Sequence, residues 1–253
     1  MKSPYLSVII PAYNESKRLP ATLVDIDRIL SVRDFTYEII VVDDGSPDNT
    51  TEIAKKMAQQ IKNLKVMRSE DNHGKGGSVK KGMLVAQGEI RLFMDADNST
   101  SLEEFDKMRP FFSPRDGGGK YDVVIASRAI KGAQLDPPQP FYKQILGKGS
   151  NLIIQATNLP GIWDTQCGFK AFTAEAAERI FTISRITGWG FDIEVLSLAR
   201  ALGYNIKEIP VRWVNDLGSH VPFSGYLRTF VENFTILWWR ITDSYRIRKE
   251  KNE

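Results

Sequence analysis

The 253-residue chain predicts an α/β fold, a mostly parallel, Rossmann-like sheet flanked by helices. Two observations predict it. Short apolar runs alternate through the first half with segments of helical period, the order expected when parallel strands are joined by crossover helices. Most of those runs also stop near Asp, Asn, Pro or Gly, which puts polar residues at the carboxyl ends of strands, where open α/β sheets bind ligands.

Five runs read as strands: YLSVII (5–10), YEIIVV (37–42), LKVMR (64–68), IRLFM (90–94) and YDVVIA (121–126). After the first, Leu19, Leu23, Ile26 and Leu30 recur at spacings of three and four, and Ile53, Met57 and Ile61 do the same after the second. Both patterns predict amphipathic helices packed on the sheet. RDGGGK (115–120) and KGAQLDPPQP (131–140) predict loops, because Gly and Pro break both regular structures. The second half is less regular. FYKQILGKGSNLIIQAT (141–157) reads as a helix despite two glycines, and GFDIEVLSLARALG carries Phe191, Val195, Leu198 and Leu202 on one face before Gly203 stops it. A strand over 206–214 follows. Near the C-terminus Tyr226, Phe230, Phe234, Leu237, Trp238 and Ile241 stand at helical spacing, followed by Arg246, Arg248, Lys249 and Lys251. Residues 1–221 thus read as one domain and 222–253 as an amphipathic helix with a basic tail. Aromatics with basic charge suit a helix lying in a bilayer interface, with packing on its own domain and a dimer interface as alternatives.

A hydrophobic fraction of 42% is enough for a substantial core. The 34 basic and 31 acidic residues nearly cancel, so a net charge of +3 makes no case for nucleic acid. The single cysteine, Cys167, has no intrachain partner and the N-terminus has no signal pattern, which together predict a cytosolic location. No run reaches the roughly 20 apolar residues of a membrane span, so any membrane contact is expected to be peripheral.

In FMDADNST, Asp95 and Asp97 follow a strand one residue apart. In extended backbone such residues point to one side about 7 Å apart, so both carboxylates can face one pocket while Ala96 points away. The pair suits a hard divalent cation, Mg2+ or Mn2+, that completes its shell with phosphate oxygens; a capped turn before a helix near Ser101 would use the same letters. VVDDGSPDNT puts Asp43 and Asp44 at another strand end, as turn formers or with Asp44 accepting hydrogen bonds from a nucleoside. In IIPAYNE, Pro11 ends the first strand, Tyr13 offers a ring for stacking on a base, and Glu15 an acceptor for ribose or base; Asn14 or Ser16 would serve equally as a helix cap. NHGKGGSVKKGM, with Lys75, is a glycine-rich approach to a helix that presents either N–H groups and an ammonium to phosphate or tight helix–sheet packing. Arg128 ends the fifth strand, where its fork can hold a diphosphate or a surface acid. His73 and His220 have no metal-ligand spacing with a second His or Cys, which argues against zinc.

SVIIPAYNE, IIVVDDGS, GKGGSVKKGM, FMDADNST, VIASR and DTQCGFKAF, in that order, resemble the family 2 inverting glycosyltransferases of GT-A fold. Their pattern is most similar to the dolichyl- and polyprenyl-phosphate glucosyltransferases, over roughly residues 5–220. The resemblance implies a nucleotide-sugar donor with Pro11, Tyr13, Glu15, Val42 and Asp44 around the nucleoside. It also implies Ala96 and Asp97 beside the diphosphate, Asp97 on the metal, Asp95 near the ribose or the metal's water shell, and Arg128 near the diphosphate. Asp192 in TGWGFDIEVL falls where the family often carries its general base; complementing a helix N-terminus is the other reading. Glu194 diverges from it on a helix. Where relatives commonly carry a Lys or Arg in a loop closing on the phosphates, this chain has His220.

The expected activity is metal-dependent, inverting transfer of a hexose, glucose from UDP-glucose, to a polyprenyl or dolichyl phosphate at the cytosolic membrane face. A hydroxyl acceptor on a glycan or glycolipid is the enzymatic alternative. A nucleotide-sugar-binding protein without turnover is the non-enzymatic one.

Overall fold

A computed structural model of the chain describes residues 3–112, 121–137, 141–214 and 223–247. In chain order the elements are β1 (Leu6–Ala12), α1 (Leu19–Leu30), β2 (Tyr37–Asp43), α2 (Thr50–Met57), β3 (Leu64–Arg68), α3 (Lys75–Val85) and β4 (Ile90–Met94). Then come α4 (Phe105–Met108), β5 (Val123–Ser127), β6 (Gln134–Asp136), α5 (Phe141–Thr157), β7 (Phe169–Thr173), α6 (Ala174–Ile183), α7 (Phe191–Leu202), β8 (Ile206–Pro210), β9 (Arg212–Val214) and α8 (Phe223–Ile241). Seven strands form one sheet in the order β3-β2-β1-β4-β7-β5-β8, and β6 pairs with β9 in a small second sheet. All pairs in the large sheet are parallel except those of β7, which runs antiparallel to β4 and β5.

The continuous apolar strands follow from burial on both faces of the sheet. Alternation along β1 sends Val8 and Ile10 toward α1, with Leu19, Leu23 and Ile26, and sends Ile9 toward α3, with Val79 and Met83. Gly82 lets α3 sit directly on the sheet: a Cβ there would overlap Ile9. The strand order reverses between β1 and β4, opening a crevice at their carboxyl ends. Because β7 is antiparallel, its start meets the end of β4, with Met94 opposite Phe169. That register brings residues 164–168 to the same crevice.

Several expectations change in detail. β1 continues through Pro11, which sits in register with Val42, so the proline does not end the strand. Its missing N–H is tolerated near the end of a strand. α2 buries Thr50, Thr51 and Ala54, with Ile53 half-buried and Met57 packed on the core; it stops before Ile61, which is buried in the same core. The run 206–214 divides between the two sheets, and residues 134–136 of the expected loop form its small partner strand. The 115–120 loop, His220 and the basic residues Arg248, Lys249 and Lys251 lie outside the described residues, as does the side chain of Tyr226.

α8 packs through Glu232, Asn233 and Ile236. Asn158 Nδ2 donates to Asn233 Oδ1 (2.9 Å), and the Gly190 N–H donates to Glu232 Oε2 (2.7 Å). These polar groups dock the helix together with Ile236 and the half-buried Trp239, leaving Phe230, Val231, Phe234, Trp238 and Ile241 exposed.

Candidate active site

Loops after β1 and β2 are clipped together through backbone donors. Asn14, Glu15 and Ser16 N–H groups donate to Ser46 Oγ (3.0 Å), Thr50 Oγ1 (2.9 Å) and Asp48 Oδ2 (3.3 Å). Asn14 and Ser16 do not cap α1, which starts at Leu19 with no side-chain cap hydrogen bond. The adjacent acids have different work. Asp43 is buried and accepts from the hydroxyls of Ser46 and Thr51. Asp44 accepts the N–H groups of His73 (3.0 Å) and Gly74 (2.8 Å), which fixes the loop leading into Lys75. Tyr13 presents an exposed ring, whereas Pro11 and Val42 are buried, and Val42 shows no surface to a nucleoside.

The segment Asp95–Asn98 is a turn, not an extension of β4, yet it buries Ala96 and leaves both acids half-buried. Four bonds set it: Asp95 N–H to Gly168 O (3.0 Å), Thr22 Oγ1 to Ala96 O (2.6 Å), Asn98 Nδ2 to Asp25 Oδ2 (3.0 Å), and Ser99 N–H to Asp97 Oδ1 (3.0 Å). Gly168 is required by close approach, because a Cβ there would coincide with the Asp95 carboxylate. Lys75 Nζ lies 2.5 Å from Asp95 Oδ1 and 5.6 Å from the Trp189 ring centre. Glu15 is forked with Arg18 (2.7 and 2.5 Å).

Charges in the crevice shape each other. Burial, then the neighbouring Asp95, raises the Asp97 carboxyl above the ordinary aspartate value. Burial also raises Glu15 against the pull of Arg18, with Asp97 and Asp95 adding to the rise. For Lys75, burial works to lower the ammonium, but Asp95 and Asp192 outweigh it and the result is raised.

Arg128 Nε and Nη2 hold Asp164 at 2.8 and 2.9 Å, and its guanidinium lies 5.4 Å from the Trp213 ring centre. Burial alone would lower Arg128; Asp164 overrides it and keeps the cation. Arg128 is thus anchored on one edge, with its side chain 26% exposed. Asp192 is buried, and its Oδ1 accepts from Lys170 Nζ at 2.5 Å; the same ammonium donates to Cys167 O at 2.6 Å. Burial raises the Asp192 carboxyl, while Lys170 and Lys75 pull it down without cancelling the rise. Glu194 points elsewhere, accepting Arg185 and Ile186 N–H groups and the Tyr245 hydroxyl (2.7 Å). Cys167 is buried, and burial pushes its thiol up to about 12, so it packs and does not react.

The glycine-rich approach serves packing. Gly76 and Gly77 N–H groups donate to Thr187 O (2.8 and 3.3 Å), leaving the Lys75 ammonium as that segment's group for an anion. The side chains fit a hard divalent cation: Asp95 and Asp97 supply oxygen donors, and Asp97 is raised partly because it faces Asp95. Among the described residues no group of three or more His, Cys, Asp or Glu side chains gathers to hold a metal, so an ion held by Asp95 and Asp97 would need further ligands from substrate or water. The sequence reading brought Glu15, Lys75, Asp95, Asp97, Arg128 and Asp192 to one end of the sheet. It missed Thr22, Asp164, Gly168 and Lys170. Thr22 was visible as a hydroxyl on an otherwise apolar helix face, and the other three stand inside DTQCGFKAF without a local cue to their partners.

Comparison with known proteins agrees with this geometry. The family model for Glycosyl transferase family 2 matches residues 7–181. The chain is 38% identical over 233 residues to a dolichyl-phosphate beta-glucosyltransferase of Dictyostelium discoideum, covering 88% of this chain and 71% of that protein. It is 33% identical over 255 residues to the dolichyl-phosphate beta-glucosyltransferase of Homo sapiens, covering 97% and 79%. Among solved structures, mannosyl-3-phosphoglycerate synthase from Rubrobacter xylanophilus superposes with a TM-score of 0.70 at 16% identity, covering 96% of this chain and 75% of that one. Glucosyl-3-phosphoglycerate synthase from Mycobacterium tuberculosis, crystallised with Mg2+ and uridine diphosphate, gives 0.65 at 19% identity, covering 94% and 79%. These two show the GT-A fold. With a family match across most of the sheet and relatives at this identity along nearly its whole length, the chain belongs to glycosyl transferase family 2.

Proposed function

We propose that the enzyme transfers glucose from UDP-glucose to a polyprenyl phosphate of the dolichyl type, with inversion at the anomeric carbon. One observation carries the reading: two acids, Asp95 and Asp97, and two cations, Lys75 and Arg128, converge at the switch point of the sheet. The names of the relatives support glucose and a dolichyl phosphate.

In this reading Tyr13 stacks on the base and Glu15 takes the ribose, while Asp44 acts at the nucleoside edge and by holding the Lys75 loop. Asp97, with Asp95 beside it, holds Mg2+ or Mn2+, which supplies Lewis-acid stabilisation of the departing diphosphate. Arg128 stays charged and aligned by Asp164, so its free edge meets developing negative charge without reorganising. Asp192 lies buried against Lys170, a poor position for taking a proton from an alcohol. A phosphate acceptor has a second pKa of about 6 and arrives ionised, so it needs little help from a base. That match favours the phosphate over a hydroxyl acceptor, with Asp192 serving mainly to order the wall of the site.

Among the described residues no helix is long and apolar enough to cross a membrane. We place the contact with lipid on the exposed face of α8, where Phe230, Phe234 and Trp238 stand together with Val231 and Ile241, and put the enzyme at the cytosolic membrane surface.

A radiolabelled-donor screen of UDP-glucose, UDP-GlcNAc and GDP-mannose against polyprenyl phosphate tests the reading. It expects metal-dependent label in lipid from UDP-glucose. UDP-glucose binding with no UDP release under any acceptor would instead identify a non-catalytic binding protein.

A further inference from the structure

We propose that Lys75 is a resident counter-ion at the metal position: a divalent ion reaches Asp95 by displacing the Lys75 ammonium, which the nucleotide's diphosphate then takes up. The proposal rests on the reading of Asp95 and Asp97 as the metal-binding pair. It explains how the half-buried acids are balanced without an ion, and it predicts that metal and nucleotide bind cooperatively.

Geometry leaves only one part of this pair free to move. Lys75 Nζ sits 2.5 Å from Asp95 Oδ1, with the two side chains only 18% and 33% exposed. Asp95 cannot rotate toward Gly168, whose Cα lies against the carboxylate, and its N–H is tied to Gly168 O at 3.0 Å. The backbone around Lys75 is fixed as well, with Gly74 N–H on Asp44 and Gly76 N–H on Thr187 O. The Lys75 side chain is therefore the mobile element. Of the other acids within its field, Asp192 is already paired with Lys170 at 2.5 Å, and Asp97 belongs to the same metal-binding pair as Asp95. The Trp189 face, 5.6 Å away, offers a cation a place beside the site.

A cation in contact with a metal ligand opposes a dication arriving at the same carboxylate. At about 4 Å and the screening typical of partly buried sites, removing that opposition should tighten metal binding at least tenfold. Mn2+ binding is read by the loss of free-ion paramagnetic resonance, with and without UDP, in wild type, Lys75→Met and Asp97→Asn. The expected result is weak Mn2+ binding by wild type that UDP strengthens. Lys75→Met should bind Mn2+ at least about tenfold more tightly without UDP and gain less from adding it. Asp97→Asn binding Mn2+ as wild type does, with and without UDP, would remove the metal site itself. If Asp97→Asn loses the ion while Lys75→Met binds it no better than wild type, the displacement idea alone fails. A second measurement needs no variant: in wild type, acylation of Lys75 followed by mass spectrometry should quicken when saturating Mn2+ is added, and an unchanged rate would overturn the proposal.

Discussion

Replacing Lys170 by Met isolates the buried ion pair with Asp192, because the apolar stem is kept and the ammonium is lost. The wild-type lysine is fully buried, so water cannot substitute for it. Removing one partner of such a pair typically costs about 3–5 kcal/mol. Here the cost has a ceiling, since the stranded carboxylate can escape by taking a proton. At 1.36 kcal/mol per pH unit above an unfolded value of ~3.9, that escape costs about 4 kcal/mol at pH 7 and about 1.5 kcal/mol at pH 5. The Cys167 carbonyl loses the same donor but keeps the Phe169 N–H at 2.8 Å, so it is not left unpaired and adds little at either pH. The sign follows from proton counting: the variant's native state holds a proton that its unfolded state lacks, so its stability falls as pH rises. Burial already raises Asp192 in the wild type, so the diagnostic is the difference between the two proteins. Urea unfolding at pH 5 and pH 7 should show a Lys170→Met deficit that grows by about 2–3 kcal/mol between them. Lys170→Met with Asp192→Leu should recover most of it, as apolar replacement of a buried pair usually does. A deficit below about 1 kcal/mol at pH 7, or one equal at both pH values, would refute the pairing.

Three further outcomes follow from the site. Asp97 is raised by burial and by Asp95, so Mn2+ affinity should fall on acidification from a higher pH than an ordinary aspartate near ~3.9 would give; a Mn2+ titration flat from about pH 7 down to about pH 4 would contradict this. Gly168→Ala should leave the fold intact by circular dichroism while pushing the Asp95 carboxylate aside, and a shift of about 1 Å at such a site costs on the order of 10²-fold in turnover. Near-wild-type turnover would show that the approach of Gly168 to Asp95 does not matter. Cys167, its thiol raised to about 12 by burial, should resist a thiol-disulfide reagent at about pH 8 in the native protein and react once urea unfolds it.

What the sequence made legible was local. Residues 64–68 and 90–94 are strands at the predicted limits, and the face of Leu19, Leu23, Ile26 and Leu30 is buried in α1 as its spacing predicts. Acids at strand ends can be read because polarity follows an apolar run in the same few letters. Partners cannot be read this way. Lys170 and Asp192 are 22 positions apart, and nothing near either announces a buried pair. The hydrogen bond from Thr22 to Ala96 spans 74 positions. The glycines after His73 look as though they could cradle phosphate until Asp44 is seen holding the Gly74 N–H and Thr187 those of Gly76 and Gly77. For the C-terminal helix periodicity gives an amphipathic pattern but not which residues dock: Glu232, Asn233 and Ile236 turn inward with Trp239 half-buried beside them, while Phe230, Phe234 and Trp238 face outward.

The proposed reaction has an acceptor that arrives ionised and assigns the metal to Asp97. Its most direct test is glucose transfer from UDP-glucose to a polyprenyl phosphate and to the corresponding polyprenol, each with wild type and Asp97→Asn in Mg2+ or Mn2+. The prediction is a glucosyl phosphodiester from the phosphate alone, abolished by Asp97→Asn and by chelation of the metal. Equal or faster transfer to the polyprenol, or undiminished transfer by Asp97→Asn, would contradict it.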